Sequence, residues 1–162
     1  MLTHVFSDLE GLRIAGEMEK RGDAFYLRAA KLTHCETTRA LLESLAEDER
    51  AHFAEFVRLY QRRRAMENAS DDPYDDETNA YLSAIAADVV FPGGLMAIRH
   101  EGFDNPEAVL SYAIQSEKDS VLFYLELAQK ARDACARDVF LEIAHQEQQH
   151  MRRLQRKRAL IE

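Results

Sequence analysis

The sequence predicts an all-α protein, a four-helix bundle built from two antiparallel helical hairpins joined by a long crossover. Three observations predict it. Apolar residues recur at helical spacing through four long segments. Only three prolines and six glycines occur in 162 residues, too few for a fold of strands and turns. The second half of the chain also repeats the first. The length suits one domain with a core of its own, spanning residues 1–162.

The first helix is expected over about 7–32, with Ser7 as N-cap and Glu10 completing a capping box. The second runs over about 36–66. Thr33 and Glu36 offer a second capping box, and Leu42, Leu45, Phe53 and Phe56 line one face. The third opens at Asn105-Pro106-Glu107, a cap residue followed by proline at the first helical position, and ends near Arg132. The fourth covers about 134–160. Links of a few residues within each pair imply antiparallel hairpins. The crossover, about 68–105, begins with an acidic run from Asn68 to Glu77 that reads as a solvated linker. A short helix over about 80–90 and Pro92-Gly93-Gly94 follow, a stretch long enough to travel the length of a bundle.

Composition excludes several classes. With 29 acidic against 21 basic side chains, a net charge of -8, the chain lacks the basic excess of a nucleic-acid-binding surface. No apolar run is long enough to span a bilayer. Cys35 and Cys135 make neither a disulfide framework nor a four-cysteine metal site. No basic head with an apolar stretch follows Met1, so the expected compartment is the cytoplasm.

Sliding the sequence by 98 positions lays Glu19-Lys20 on Glu117-Lys118 and Phe25-Tyr26-Leu27 on Phe123-Tyr124-Leu125. Arg39 falls on Arg137, Glu49 on Glu147 and His52 on His150, without a gap. This is one hairpin in two copies. Most coincident positions are apolar, as a shared core requires. Glu19, Glu49 and His52 are polar, and packing alone does not explain them.

Residues three, four or seven apart share a helix face. Glu49 therefore points with His52, Glu147 with His150, Glu19 with Tyr26 and Glu117 with Tyr124. Glu19 and Glu49 each lie 15 residues from His34 near the first turn, and Glu117 and Glu147 each 15 from Arg132. Antiparallel pairing sets each couple opposite at mid-bundle. All lie on the apolar stripe, so four carboxylates and two imidazoles converge in one core. Buried without compensation, such charges are prohibitive. Two divalent cations balance four carboxylates, and imidazole suits iron, manganese or zinc. A lone Glu-x-x-His carries little weight. Glu142-x-x-His145 is one, but its repeat positions hold Ser44 and Glu47. It also lies about 140° around the helix from Glu147 and His150, so it reads as surface.

A Glu from each of two helices and a Glu-x-x-His from each of the other two is the ligand pattern known for ferritin-like di-metal bundles. At Glu19–Tyr26, Glu49-Arg-Ala-His52, Glu117–Tyr124 and Glu147-Gln-Gln-His150 the chain resembles the rubrerythrin branch of the ferritin-like superfamily, over roughly residues 7 to 160. The resemblance implies a ferritin-like bundle holding two iron ions, with manganese or a mixed pair also compatible. It implies that Glu49 and Glu147 bridge the metals, that Glu19 and Glu117 are terminal ligands, and that His52 and His150 each bind one metal. Tyr26 and Tyr124 would support the chemistry by donating to ligating carboxylates. Two departures stand out. The paired Cys-x-x-Cys of a rubredoxin-like iron site is absent. Ser120, with Gly22 as its repeat mate, also occupies the position of the extra glutamate that rubrerythrins carry.

The function expected from this is a di-iron oxidoreductase of peroxidase or ferroxidase type, reducing peroxide or dioxygen in defence against oxidative stress. Without its own rubredoxin-like site it needs an external electron donor, for example a rubredoxin-like protein. The alternatives are iron binding or storage without turnover, and a metal-free helical interaction domain. A homodimer is expected, and the long crossover would permit hairpin exchange between chains. No nucleic-acid or membrane partner is expected. His4, His34 and His100 lack partners at ligand spacing. Cys35 and Cys135 fall near opposite ends of the bundle, away from the metals. Arg62-Arg63-Arg64 and the run Arg152 to Arg158 complement helix C-termini and offer a docking patch for an acidic carrier.

Overall fold

The computed structural model describes residues 4–66, 70–89 and 105–161. Among these residues five helices follow one another: α1 Asp8–Leu32, α2 Glu36–Ala65, α3 Asp76–Val89, α4 Pro106–Lys130 and α5 Ala134–Ala159. Among the described residues there is no strand. Helices α1 and α2 form one hairpin and α4 and α5 the other. The hairpins meet through α1 against α4 and α2 against α5, with α3 lying on α4 and α1. No described helix is long and apolar enough to cross a membrane.

Capping sets most of the boundaries. The Ser7 hydroxyl accepts from the Glu10 amide, as expected, while the Glu10 carboxylate turns to Arg13 and His4. Asn105 caps α4, with Pro106 at its first position. Asp133 caps α5 and also takes the Arg62 guanidinium at 2.7 Å, tying the α5 start to the α2 end. The capping box expected from Thr33 and Glu36 does not form. Thr33 ends α1, and the α2 cap is Cys35, whose side chain makes no capping bond.

The crossover departs most from expectation. Helix α3 starts at Asp76, four residues before the expected start. Asp75 caps it, accepting from the Thr78 amide at 2.9 Å and the Thr78 hydroxyl at 2.6 Å. The acidic residues before it are exposed, as expected of a solvated linker, but the segment is also tied to the bundle as a clasp. Asp71 accepts from the Ser7 hydroxyl at 2.8 Å, and the Tyr74 amide donates to the Phe6 carbonyl at 2.8 Å. Asn79 accepts from the Phe6 amide at 2.7 Å. Asp8, 3% exposed, accepts from the Tyr74 hydroxyl at 2.6 Å, the Arg132 amide at 3.0 Å and the Asp133 amide at 2.9 Å. One carboxylate thus joins the start of α1, the crossover and the α4–α5 turn. Pro92-Gly93-Gly94 and His100 lie outside the described residues.

The apolar core divides in two. One cluster holds Phe6, Leu12, Phe56, Leu59, Phe123 and Phe140, near the start of α1 and the end of α2. The other holds Phe25, Leu42, Leu45, Leu110, Ile114 and Leu154, near the opposite end of the first hairpin. Between them, at mid-helix, the bundle buries acids and histidines.

Candidate metal centre

Glu19, Glu49, His52, Glu117, Glu147 and His150 are all brought together, and none is more than 5% exposed. Each comes from the core-facing stripe of its helix, so the period that builds the bundle also delivers the acids to its axis. The donor atoms fall into two groups, each within 4.8 Å across: Glu19, Glu49, His52 and Glu147, then Glu49, Glu117, Glu147 and His150. Glu49 and Glu147 belong to both.

In the first group His52 Nδ1 lies 2.8 Å from Glu147 Oε1 and 3.3 Å from Glu19 Oε2. In the second, His150 Nδ1 lies 3.1 Å from Glu49, 3.3 Å from Glu147 and 3.6 Å from Glu117. The two imidazoles stack with ring centres 5.6 Å apart. Despite this crowding, Glu49 Oε1, both Glu147 oxygens and His150 Nδ1 have no hydrogen bond of acceptable geometry. Buried polar atoms rarely go without partners. Here the orphans are the shared carboxylates and one imidazole nitrogen, all aimed at one space. Hard oxygen donors with imidazole nitrogen fit divalent iron or manganese.

The tyrosines reach across the bundle. Tyr124 donates to Glu19 at 2.5 Å, and Tyr26 donates to Glu117. Each phenol therefore holds the unshared glutamate of the opposite hairpin, a crossing that same-face spacing on one helix does not reveal. Burial, together with the neighbouring glutamates, pushes both phenols well above their ordinary range, so they remain donors.

The buried acids and imidazoles shift one another's protonation. Burial and repulsion from neighbouring glutamates raise Glu49 and Glu147 well above the carboxylate range. Burial alone would lower His52, but Glu147 and Glu19 more than offset it and raise it from 6.5 to about 11. Glu117 moves the other way: burial raises it, but Glu147, the His150 imidazole and the Tyr26 hydroxyl beside it more than offset that. On balance the folded apo-protein holds more protons than the unfolded chain at neutral pH. The His52 contribution is complete below its unfolded value and is lost as pH rises towards about 11. The raised acids lose stability in the same direction, from their unfolded value upward. The apo-protein should therefore melt lower at about pH 9 than at about pH 6, by about 1.4 kcal/mol per pH unit for each extra proton held. Thermal unfolding after chelator treatment, measured across that range, checks the slope. A stability that rises with pH contradicts the charge assignment.

Gly22 makes room for one of the shared acids. A Cβ there would stand 2.6 Å from Glu49 Oε2 and 3.3 Å from its carboxyl carbon. Alanine is the better helix former by up to about 1 kcal/mol, so Gly22→Ala should leave the apo-protein at least as stable. It should also displace the Glu49 carboxylate and weaken metal binding on the order of tenfold. Paired melting and metal titration separate the two effects. Ser120, the repeat mate of Gly22, is likewise buried.

The sequence reading missed two residues. His52 Nε2 bonds the Gln146 side-chain oxygen at 2.7 Å, and His150 Nε2 bonds Asp48 at 3.1 Å. Both precede a shared glutamate and they are repeat mates, but of different residue type, so the 98-residue shift did not single them out. The weaker candidates stay apart. Glu142, His145 and His34 are exposed, and His4 pairs with Glu10. Cys35 and Cys135 are free and exposed. Bonds from Thr37 and Thr38 bring the Cys35 thiol down to about 6.

The rubrerythrin family model matches residues 108–158, which include Glu117, Tyr124, Glu147 and His150. A Thermotoga maritima protein provisionally described as a ferritin-like diiron-carboxylate protein superposes with a TM-score of 0.75. It shares 22% identity, over 96% of this chain and 97% of its own. The chain has the fold of a ferritin-like bundle, and its second hairpin is similar to rubrerythrin. A hypothetical protein from Pyrococcus furiosus gives a TM-score of 0.70 at 23% identity, over 96% of this chain and 90% of its own. No curated protein matches. The family match falls on the second hairpin, and the internal repeat carries the same Glu, Tyr and Glu-x-x-His pattern onto the first.

Proposed function

We infer that this is a non-haem di-iron carboxylate protein that reduces peroxide or dioxygen, or oxidises ferrous iron. The observation that carries the reading is the pair of Glu/His groups sharing Glu49 and Glu147. Two shared carboxylates between two separate histidines is the donor set of a two-metal site, not of one ion. The chemistry a bound pair of ferrous ions would supply is two electrons, one from each ion, as peroxide reduction to water requires.

Glu49 and Glu147, which belong to both donor groups, would be shared between the two ions. Glu19 and His52 complete one position, Glu117 and His150 the other. Tyr26 and Tyr124 hold Glu117 and Glu19 against rotation and keep their own protons. The apolar clusters above and below confine the polar layer and exclude bulk water. Among the described residues the two cysteines are exposed and apart from the centre, so re-reduction rests on an external donor. A homodimer and a cytoplasmic location complete the proposal.

Rapid mixing of the anaerobic ferrous protein with peroxide or with dioxygen tests it. Oxidation of about two irons per peroxide-reducing event, repeated when a chemical reductant is supplied, is the expected result. Iron that oxidises once and accumulates without further turnover overturns the catalytic reading in favour of storage.

A further inference from the structure

The metal centre is nearly two-fold symmetric, and its symmetry breaks at the groups behind the histidines. Asp48 of the first hairpin contacts His150 of the second, and Gln146 of the second contacts His52 of the first. The two residues are repeat mates, so they do the same job from equivalent places with different charge. Each accepts from Nε2 and leaves Nδ1 facing the glutamates. The Gln146 amide nitrogen donates to Glu142 at 3.0 Å, which fixes its oxygen towards His52.

We propose that Asp48 makes the two metal positions unequal, so that the ion held by His150 and Glu117 binds more tightly than the one held by His52 and Glu19. The inference rests on the di-metal reading above. Its physical basis is the carboxylate behind the histidine. A negative acceptor on Nε2–H increases electron density at Nδ1 and stabilises the positive charge that arrives there, whereas an amide oxygen only orients the ring. Two features work against it. The Gln146 bond is shorter, 2.7 Å against 3.1 Å, and Arg153 lies 3.4 Å from the same Asp48 oxygen. Charge-assisted bonds are roughly twice as strong as neutral ones, which outweighs the difference in length. Arg153 is also shared with the Ser44 hydroxyl at 3.0 Å, so it only partly neutralises Asp48.

Anaerobic titration of the metal-stripped full chain with Fe(II), followed calorimetrically, tests the proposal. The wild type should fill in two steps whose affinities differ by about tenfold or more. Asp48→Asn keeps an oxygen able to accept from His150 but removes the charge. It should weaken the tighter step by about tenfold and leave the other in place. Gln146→Glu should tighten the weaker step. One equivalent of Co(II) locates the first ion independently, because its visible absorption should change in Asp48→Asn and stay unchanged in Gln146→Ala. Equal affinities in the wild type, an Asp48→Asn isotherm that superimposes on it, or the reverse Co(II) pattern overturns the inference and leaves the di-metal reading intact. Absence of any binding overturns both.

Discussion

Replacing Glu49 and Glu147 together by alanine should abolish metal binding. Each belongs to both Glu/His groups, so the double variant leaves each group two donors short. The wild type should gain stability on metal addition, about 2.7 kcal/mol for each site held at a hundred times its dissociation constant. In the double variant that gain should vanish, and the melting temperature should no longer respond to Fe(II) or Mn(II). The apo-forms compare differently. Removing two buried carboxylates relieves desolvation and mutual repulsion, but it strips His52 and His150 of their nearest acids and opens a cavity. These effects oppose one another, so little change in apo-stability is expected. A helical domain that binds no metal would show the same small change between apo-forms, but no metal response in the parent. Melting curves of both proteins with and without metal separate the cases.

The second large effect lies away from the metals. Asp8→Ala should cost about 3–5 kcal/mol. It leaves the Tyr74 hydroxyl and the amides of Arg132 and Asp133 without their acceptor in a site 3% exposed, and each lost bond to a charged group is worth about 1.5–3 kcal/mol before relaxation. The loss should detach the clasp of residues 70–75 from the α4–α5 turn and leave metal stoichiometry unchanged. Chemical denaturation measures the cost, and Asp8→Asn, which retains one acceptor, should recover part of it. An Asp8→Ala protein as stable as its parent contradicts the clasp.

The bundle and its polar centre were legible because one period governs both. Apolar residues every three to four positions define the face that packs, and Glu19, Glu49, His52 and their repeat mates sit on that same face. Antiparallel counting about His34 and Arg132 then sets them at one level. What stayed hidden depends on how the hairpins sit against each other. Tyr26 shares a face with Glu19 yet donates to Glu117, and Asp48 precedes Glu49 yet serves His150. Neither contact follows from spacing within a helix. The early start of α3 was hidden for another reason. The run Asp71 to Glu77 has the composition of a solvated linker, but Asp75 is a cap and Asp71 a receptor for Ser7. Only the fold shows where those carboxylates point. Asp8 has no repeat counterpart, since its mate is Pro106, so the internal symmetry that exposed the centre could not expose the clasp.

The most direct measurement is the metal content of the purified protein after growth with both iron and manganese, by mass spectrometry. Close to two iron or manganese ions per chain are expected, one for each Glu/His group, and none above trace in the Glu49→Ala/Glu147→Ala variant. A folded wild-type chain that carries no metal above trace, and takes up none when Fe(II) or Mn(II) is offered without oxygen, contradicts it.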